Sequence, residues 1–166
     1  MKTTTRWTPA AALLLVLASF GASAQVAVTP APDASALLAS PDARLAANKK
    51  LVTDFWREVL EAGHLEAADR YLAEGYVQHN PNVPTGRAGF VAFFSRFAKP
   101  QPVAPAVKAP LVSVVAEGDR VVLAFVSTRP DPKDASRQYT TTWFDMFRVS
   151  DGKIVEHWDS APKDGG

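Results

Sequence analysis

An α+β fold, with helices gathered before a mostly antiparallel sheet, is the class this sequence predicts. Three observations carry the prediction. Apolar residues recur at helical spacing before residue 98. Four long runs of strand composition follow residue 110. Short turn signals, not helices, join those runs. A chain of 166 residues, 47% hydrophobic and 21% charged, suits one globular domain.

The first 24 residues stand outside that domain. Lys2 and Arg6 form a positive start, Ala10–Phe20 is an apolar run, and Ala22-Ser23-Ala24 is a small-x-small cleavage site. This order is that of a secretory signal peptide. The run is shorter than the roughly 20 residues a membrane-spanning helix needs. No cysteine follows it, so a lipid anchor is excluded and no stable membrane anchor is expected after cleavage. The protein is therefore expected in the periplasm or secreted. Residues 25–42, rich in Ala and Pro, read as a disordered linker. The domain spans 43–161, and 162–166 are a tail.

Within the domain, Ser40-Pro41-Asp42 is a helix start. Leu45, Val52, Phe55, Trp56, Val59 and Leu60 follow at helical spacing, and Gly63 ends the helix. Leu65, Ala68 and Leu72 mark a short second helix closed by Gly75. Tyr76–Asn80 is a short strand, and Pro81–Gly86 a loop. Phe90, Val91, Phe94 and Phe97 mark a third helix. Lys99–Pro110 contains four prolines and reads as irregular. Leu111–Ala116 and Arg120–Thr128 are strands joined by a hairpin signal. Arg129–Arg137 reads as a polar loop, Gln138–Val149 as a long strand, Ser150–Lys153 as a tight turn and Ile154–Asp159 as the last strand. Strand Val121–Val126 is apolar on both faces, so its outer face needs a cover such as a second subunit.

Composition and motifs exclude several functions. With no cysteine, there is no disulfide, thiolate catalysis or Cys-ligated metal. A formal charge of +1 gives no basic field for nucleic acid. No GxGxxG, P-loop or GxSxG occurs, so nucleotide cofactors and a serine-hydrolase elbow are unsupported. His79, His157, Asp145 and Asp159 can chemically bind metal, but they lack a short ligand motif, and no metal is expected.

Polar residues inside apolar strands are the informative ones. Asp145 lies among apolar neighbours on both faces of its strand, so it is expected to be at least half buried whichever face turns inward. Burial raises a carboxylate's pKa unless hydrogen bonds compensate, which marks a candidate acid or base. On the last strand, Val155, His157 and Asp159 share one face, and Ile154, Glu156 and Trp158 the other. The turn decides which face joins Asp145. A two-residue Asp151-Gly152 loop puts Asp145 beside Trp158. A three-residue loop puts Asp145, His157 and Asp159 together, and this is the arrangement expected. His79 is a candidate acid/base or donor. Tyr76, Gln78 and Asn80, with the aromatic residues Trp56, Phe94 and Trp143, are candidates to bind a small hydrophobic ligand.

Two stretches carry a family resemblance. One is Tyr76–Arg87 with Phe90–Phe94, the other Phe144–Asp159 (FDMFRVSDGKIVEHWD). Both resemble the SnoaL-like polyketide cyclase family, and within it the branch described as SnoaL-like aldol-condensation enzymes. The resemblance covers about residues 43–161. It implies the nuclear transport factor 2-like fold: three N-terminal helices on a curved, mostly antiparallel sheet, forming a cone with a pocket. It also implies a homodimer through the outer sheet face. It implies cofactor-free acid/base chemistry, aldol-type cyclisation, isomerisation or lysis, on a carbonyl compound. The family's catalytic aspartate falls on Asp159 and its polar partner on Asp145. Two positions depart from relatives of this fold. Arg120–Thr128 lacks the charges of epoxide-opening enzymes, and His79 stands where ketosteroid isomerases carry an acid.

Overall fold

The computed structural model describes residues 25–163. The expected signal peptide and the last three residues of the expected tail lie outside the described residues. Helix α1 (Ala43–Phe55) continues into a wider-wound turn over Trp56–Glu61. After a 3-10 turn at Leu65–Ala67 come α2 (Ala68–Tyr71) and strand β1 (Leu72–Gln78). Then follow α3 (Arg87–Phe94), β2 (Leu111–Glu117), β3 (Arg120–Asp131), β4 (Asp134–Ser150) and β5 (Lys153–Asp159). The five strands form one sheet in the order β1-β5-β4-β3-β2. β1 runs parallel to β5, and the other pairs are antiparallel. Helices on a curved, mixed sheet make the α+β cone the sequence predicts. None of the described helices is long and apolar enough to cross a membrane.

The inner face of the sheet and the helices share one core. Val52, Phe55 and Val59 of the first helix meet Leu72, Tyr76, Phe90, Leu123, Phe147 and Ile154, all essentially inaccessible to water. Phe55 sits at the centre, with ring contacts to Tyr71, Phe90 and Phe147 at about 6 Å between centroids.

Local differences from expectation have physical reasons. Asp42, not Ser40, caps α1: its carboxylate accepts from the backbone N–H groups of Arg44 and Leu45. Leu72 begins a strand instead of ending a helix, because its backbone pairs with Ile154. Phe97 lies beyond α3 and is exposed. The expected loop Arg129–Arg137 is the tip of a long β3–β4 hairpin, which pairs through Pro130 opposite Gln138. The expected disordered linker 25–42 packs on the domain. Val28 donates its N–H to Thr140 Oγ1 and Ala31 donates to the Leu111 carbonyl, while Leu37 and Leu38 pack against the core.

The β4–β5 turn matters most for the site. Ser150 pairs with Lys153, so the loop has two residues, and Asp151 and Gly152 both have positive φ (50° and 70°). This is a type I′ turn, not the expected three-residue loop. Continued regularly, it would put Asp145 opposite Trp158. Instead the register shifts between Arg148 and Val149: Val149 pairs with Ile154, but Arg148 pairs with Glu156. Val155 is an extra, bulged residue. The bulge brings Asp145 opposite Asp159 and Phe147 opposite His157. The expected face is reached by a different device.

Candidate functional site

Asp145, His157 and Asp159 converge on the inner face at the wall of a cavity of about 270 Å³. Phe55, Trp56, Leu60, Val83, Phe90, Phe94 and Phe147 supply its apolar lining. Tyr76, Gln78, Asn80, Asp145, His157 and Asp159 supply the polar wall, and none of the lining residues is Lys or Arg. Trp56 stacks on Phe125 with centroids 4.5 Å apart, which holds its ring at the cavity.

Strand alternation builds the polar wall. Tyr76, Gln78 and Asn80 follow at a two-residue period from β1 into the next loop. Two backbone N–H groups orient their amides: Asn80 N–H donates to Gln78 Oε1 (2.9 Å), and Asn82 N–H donates to Asn80 Oδ1 (2.9 Å). Each amide therefore presents its NH₂ group elsewhere. Gln78 Nε2 donates to the Tyr76 hydroxyl (3.0 Å), and Asn80 Nδ2 donates to Asp159 Oδ2 (2.6 Å). The other oxygen of Asp159 accepts from the Ala161 N–H (2.9 Å).

The two aspartates differ sharply. Asp145 is 4% exposed, and one of its oxygens, Oδ2, makes no hydrogen bond. The other, Oδ1, lies 3.1 Å from His157 Nε2. Burial pushes the Asp145 carboxyl above the usual carboxylate range, and the charge of Asp159 adds to the rise. The His157 contact and, more weakly, Trp143 oppose it. Burial likewise pushes the Tyr76 phenol up, helped by Asp159 and Asp145, so it is a neutral hydroxyl at any working pH. Asp159 sits at the half-buried edge of the site with both oxygens engaged by N–H donors.

Most sequence-selected residues meet here, but two do not. His79 lies on the opposite face: its ring stacks on Trp158 at 5.0 Å and its Nε2 contacts Glu156 Oε1 at 2.8 Å. It faces away from the cavity, because it sits one residue out of phase with Gln78 and Asn80. Trp143 faces inward next to Asp145 but does not line the cavity. Leu60 and Val83 line the cavity, and the sequence carried no signal that they would. Phe55, Phe90 and Phe147 line it as well as the core. Asp145, His157 and Asp159 each offer one ligating atom within 4.8 Å of the others, so a cation could be held there.

Comparison with known proteins gives a family match. The family described as "SnoaL-like domain" matches residues 52–157. No curated protein matches the chain significantly. Among solved structures, a protein described as a candidate polyketide cyclase from Acidithiobacillus ferrooxidans shares 21% identity. It covers 73% of this chain and 89% of its own, with a TM-score of 0.47. TsrD from Streptomyces laurentii shares 22% identity over 73% of this chain and 90% of its own (TM-score 0.45). An NTF2-like protein of unknown function from Burkholderia pseudomallei shares 16% over 68% and 88% (TM-score 0.45). The matched span runs from the core of α1 to His157 and takes in the cavity and most of its polar wall, so the chain belongs to the SnoaL-like domain family.

Proposed function

We propose that this protein is a cofactor-free acid/base enzyme for a small, hydrophobic, uncharged carbonyl compound. The reaction is an aldol-type cyclisation, an isomerisation or a lysis. One observation carries the reading: an apolar, aromatic cavity whose polar wall holds two carboxylates in unlike surroundings, Asp145 paired with His157 and Asp159 held by Asn80 and the Ala161 N–H. Carboxylates whose environments differ this way divide acid and base roles. The absence of Lys and Arg from the lining argues against an anionic ligand.

Asp159, held by Asn80 and the Ala161 N–H, takes the proton α to the carbonyl. The electron pair moves onto the carbonyl oxygen, which the Tyr76 hydroxyl and the proton shared by Asp145 and His157 stabilise. The enolate carbon then bonds to a second carbonyl carbon (aldol case) or is reprotonated at another position (isomerase case). In the aldol case the proton from the Asp145–His157 pair goes to the new alkoxide. The proton on Asp159 returns to solvent, which restores the pair. The expected signal peptide supports a periplasmic or extracellular location for this chemistry. The outer sheet face, where Phe144 is 50% exposed, fits the expected homodimer.

The test is proton exchange at the α-carbons of 2-tetralone in D₂O, followed by NMR. Catalysed exchange that 2-naphthol inhibits supports the enzyme reading. Binding of 2-tetralone with an exchange rate equal to that of buffer would leave a periplasmic binding module instead.

A further inference from the structure

We infer that Gln78 is a positioning residue: its side-chain amide, locked by the backbone, keeps a proton on His157 Nδ1 and so directs the proton shared by His157 and Asp145 to the contact between Nε2 and Oδ1. Its kinetic consequence rests on the enzyme reading above, but the proton placement stands on geometry alone.

Two groups meet at Gln78 Oε1. One is the Asn80 backbone N–H at 2.9 Å, and the other is His157 Nδ1 at 2.8 Å. A backbone N–H can only donate, so the atom it meets is the amide oxygen and not the nitrogen. The far end of the amide agrees, since Nε2 lies 3.0 Å from the Tyr76 hydroxyl oxygen, which accepts from it. An amide oxygen cannot donate. The 2.8 Å contact is therefore Nδ1–H···O, and Nδ1 carries a proton in every charge state of the ring. The Phe147 ring, 4.7 Å away between centroids, packs on the imidazole, which is 7% exposed.

With Nδ1 settled, the other nitrogen has two states. Nε2 is either a lone pair facing an Asp145 O–H, or an N–H facing an Asp145 carboxylate. Both need one proton at the 3.1 Å contact. With no proton there, a lone pair would face a carboxylate in a dry site. Asp145 Oδ2 is buried without a donor, so a full negative charge on Asp145 is poorly met and the proton is favoured on its side. The titratable groups facing His157 are Asp145 on β4, Asp159 on its own strand and Tyr76 on β1. Among the described residues, none of those lining the cavity is a Lys or Arg that could take the proton's place. Gln78 thus holds the pair loaded until a ligand takes the proton.

The experiment is long-range ¹H–¹⁵N correlation of the imidazole rings in the ¹⁵N-labelled protein. His157 is assigned by comparison with His157→Asn, and His64 and His79 serve as internal references. The expected wild-type result is an N–H resonance at His157 Nδ1. Gln78→Glu, which keeps an acceptor for both donors, retains it. Gln78→Leu loses it, as the ring exchanges between tautomers. Where a catalysed exchange is measured, Gln78→Leu changes its pH profile. A wild-type His157 with the proton on Nε2 and a bare Nδ1 overturns the inference, as does an undiminished Nδ1–H in folded Gln78→Leu. If Gln78→Leu does not fold, the wild-type tautomer decides. A wild-type Nδ1–H upholds the inference even where no ketone is turned over, an outcome that would sink the enzyme reading alone.

Discussion

Strand β5 carries two neighbouring residues that each belong to a histidine–carboxylate pair, on opposite faces of the sheet. Inside, His157 meets Asp145 at 3.1 Å, with side chains 9% and 5% exposed. Outside, Glu156 meets His79 at 2.8 Å, with side chains 18% and 42% exposed. The bond lengths are similar, but the surroundings are not. Glu156 also accepts from Arg148 Nε at 2.7 Å, and those two donors hold its carboxyl below the usual range. Among the described residues Asp145 has no Lys or Arg partner, and burial holds its carboxyl above the usual range. A histidine–carboxylate contact is thus backed by an arginine and more open to solvent on one face, and buried without Lys or Arg on the other. Hydrogen-bond donors dominate for the outer carboxylate and desolvation for the inner one.

The largest effect that would sharpen this contrast is catalytic. Asp159→Asn should lower the rate on a responsive ketone by about 10²–10⁴-fold, the usual contribution of a positioned acid/base. The far-ultraviolet circular dichroism should stay unchanged. A rate within a few-fold of wild type would remove Asp159 from the mechanism.

The next effect concerns stability, with opposite pH slopes for the two faces. Asp145 has a raised native pKa. Above its ordinary value of 3.8 the unfolded chain has released this proton while the native state still holds it. The native state therefore loses stability as pH rises through that window. Asp145→Asn removes the penalty and can still donate an N–H to His157 Nε2. Urea denaturation should show it more stable than wild type at pH 7 by on the order of 1–3 kcal/mol, the cost of an underpaired buried polar group. The gain should shrink towards pH 4. A variant less stable at pH 7 would mean the buried carboxylate is well compensated.

The third prediction breaks both pairs together, because one turn and one bulge place them. Gly152→Val forces a branched side chain into left-handed backbone (φ 70°). It should cost about 1–2 kcal/mol, measured as a lower urea midpoint. An unchanged midpoint would mean the turn can relax without strain.

The register also shows how much of the molecule was legible beforehand. Element order, the aromatic helices and the burial of Asp145 follow from hydrophobic periodicity, which tertiary packing respects. The joint face of Asp145, His157 and Asp159 was expected for a reason that does not hold. Composition shows that Asp151-Gly152 turns, but not whether a bulge at Val155 follows it, since any β-compatible residue can be bulged. His79 is different, because its misplacement was avoidable. Tyr76, Gln78 and Asn80 share one face at a two-residue period, and that same period puts His79 on the other. Leu60 was legible as part of a helical apolar stripe, but neither it nor Val83 could be read as cavity lining, because a residue lining a cavity and one filling a core have the same composition. The linker expected to be disordered packs through Leu37 and Leu38, two apolar residues that its Ala/Pro content hides.

The smallest expected effect belongs to the outer pair. Glu156 has a lowered native pKa, so its contribution is present above the ordinary value of 4.5 and is lost as pH falls through the native one. Glu156→Gln should therefore destabilise slightly at pH 7 and not at all in strong acid. The loss should weaken in high salt, as for any solvated pair. This slope is the reverse of the one for Asp145→Asn. A salt-independent loss would show that the outer pair is buried in an assembly.

The most direct test of the central claim, that only the inner face of β5 handles protons, compares two variants in one assay. Exchange of the 2-tetralone α-protons in D₂O is measured for wild type, Asp159→Asn and His79→Ala. The account requires catalysed exchange in wild type, its loss by about 10²-fold or more in Asp159→Asn, and its survival within about twofold in His79→Ala. Loss of exchange in His79→Ala with retention in Asp159→Asn would contradict it.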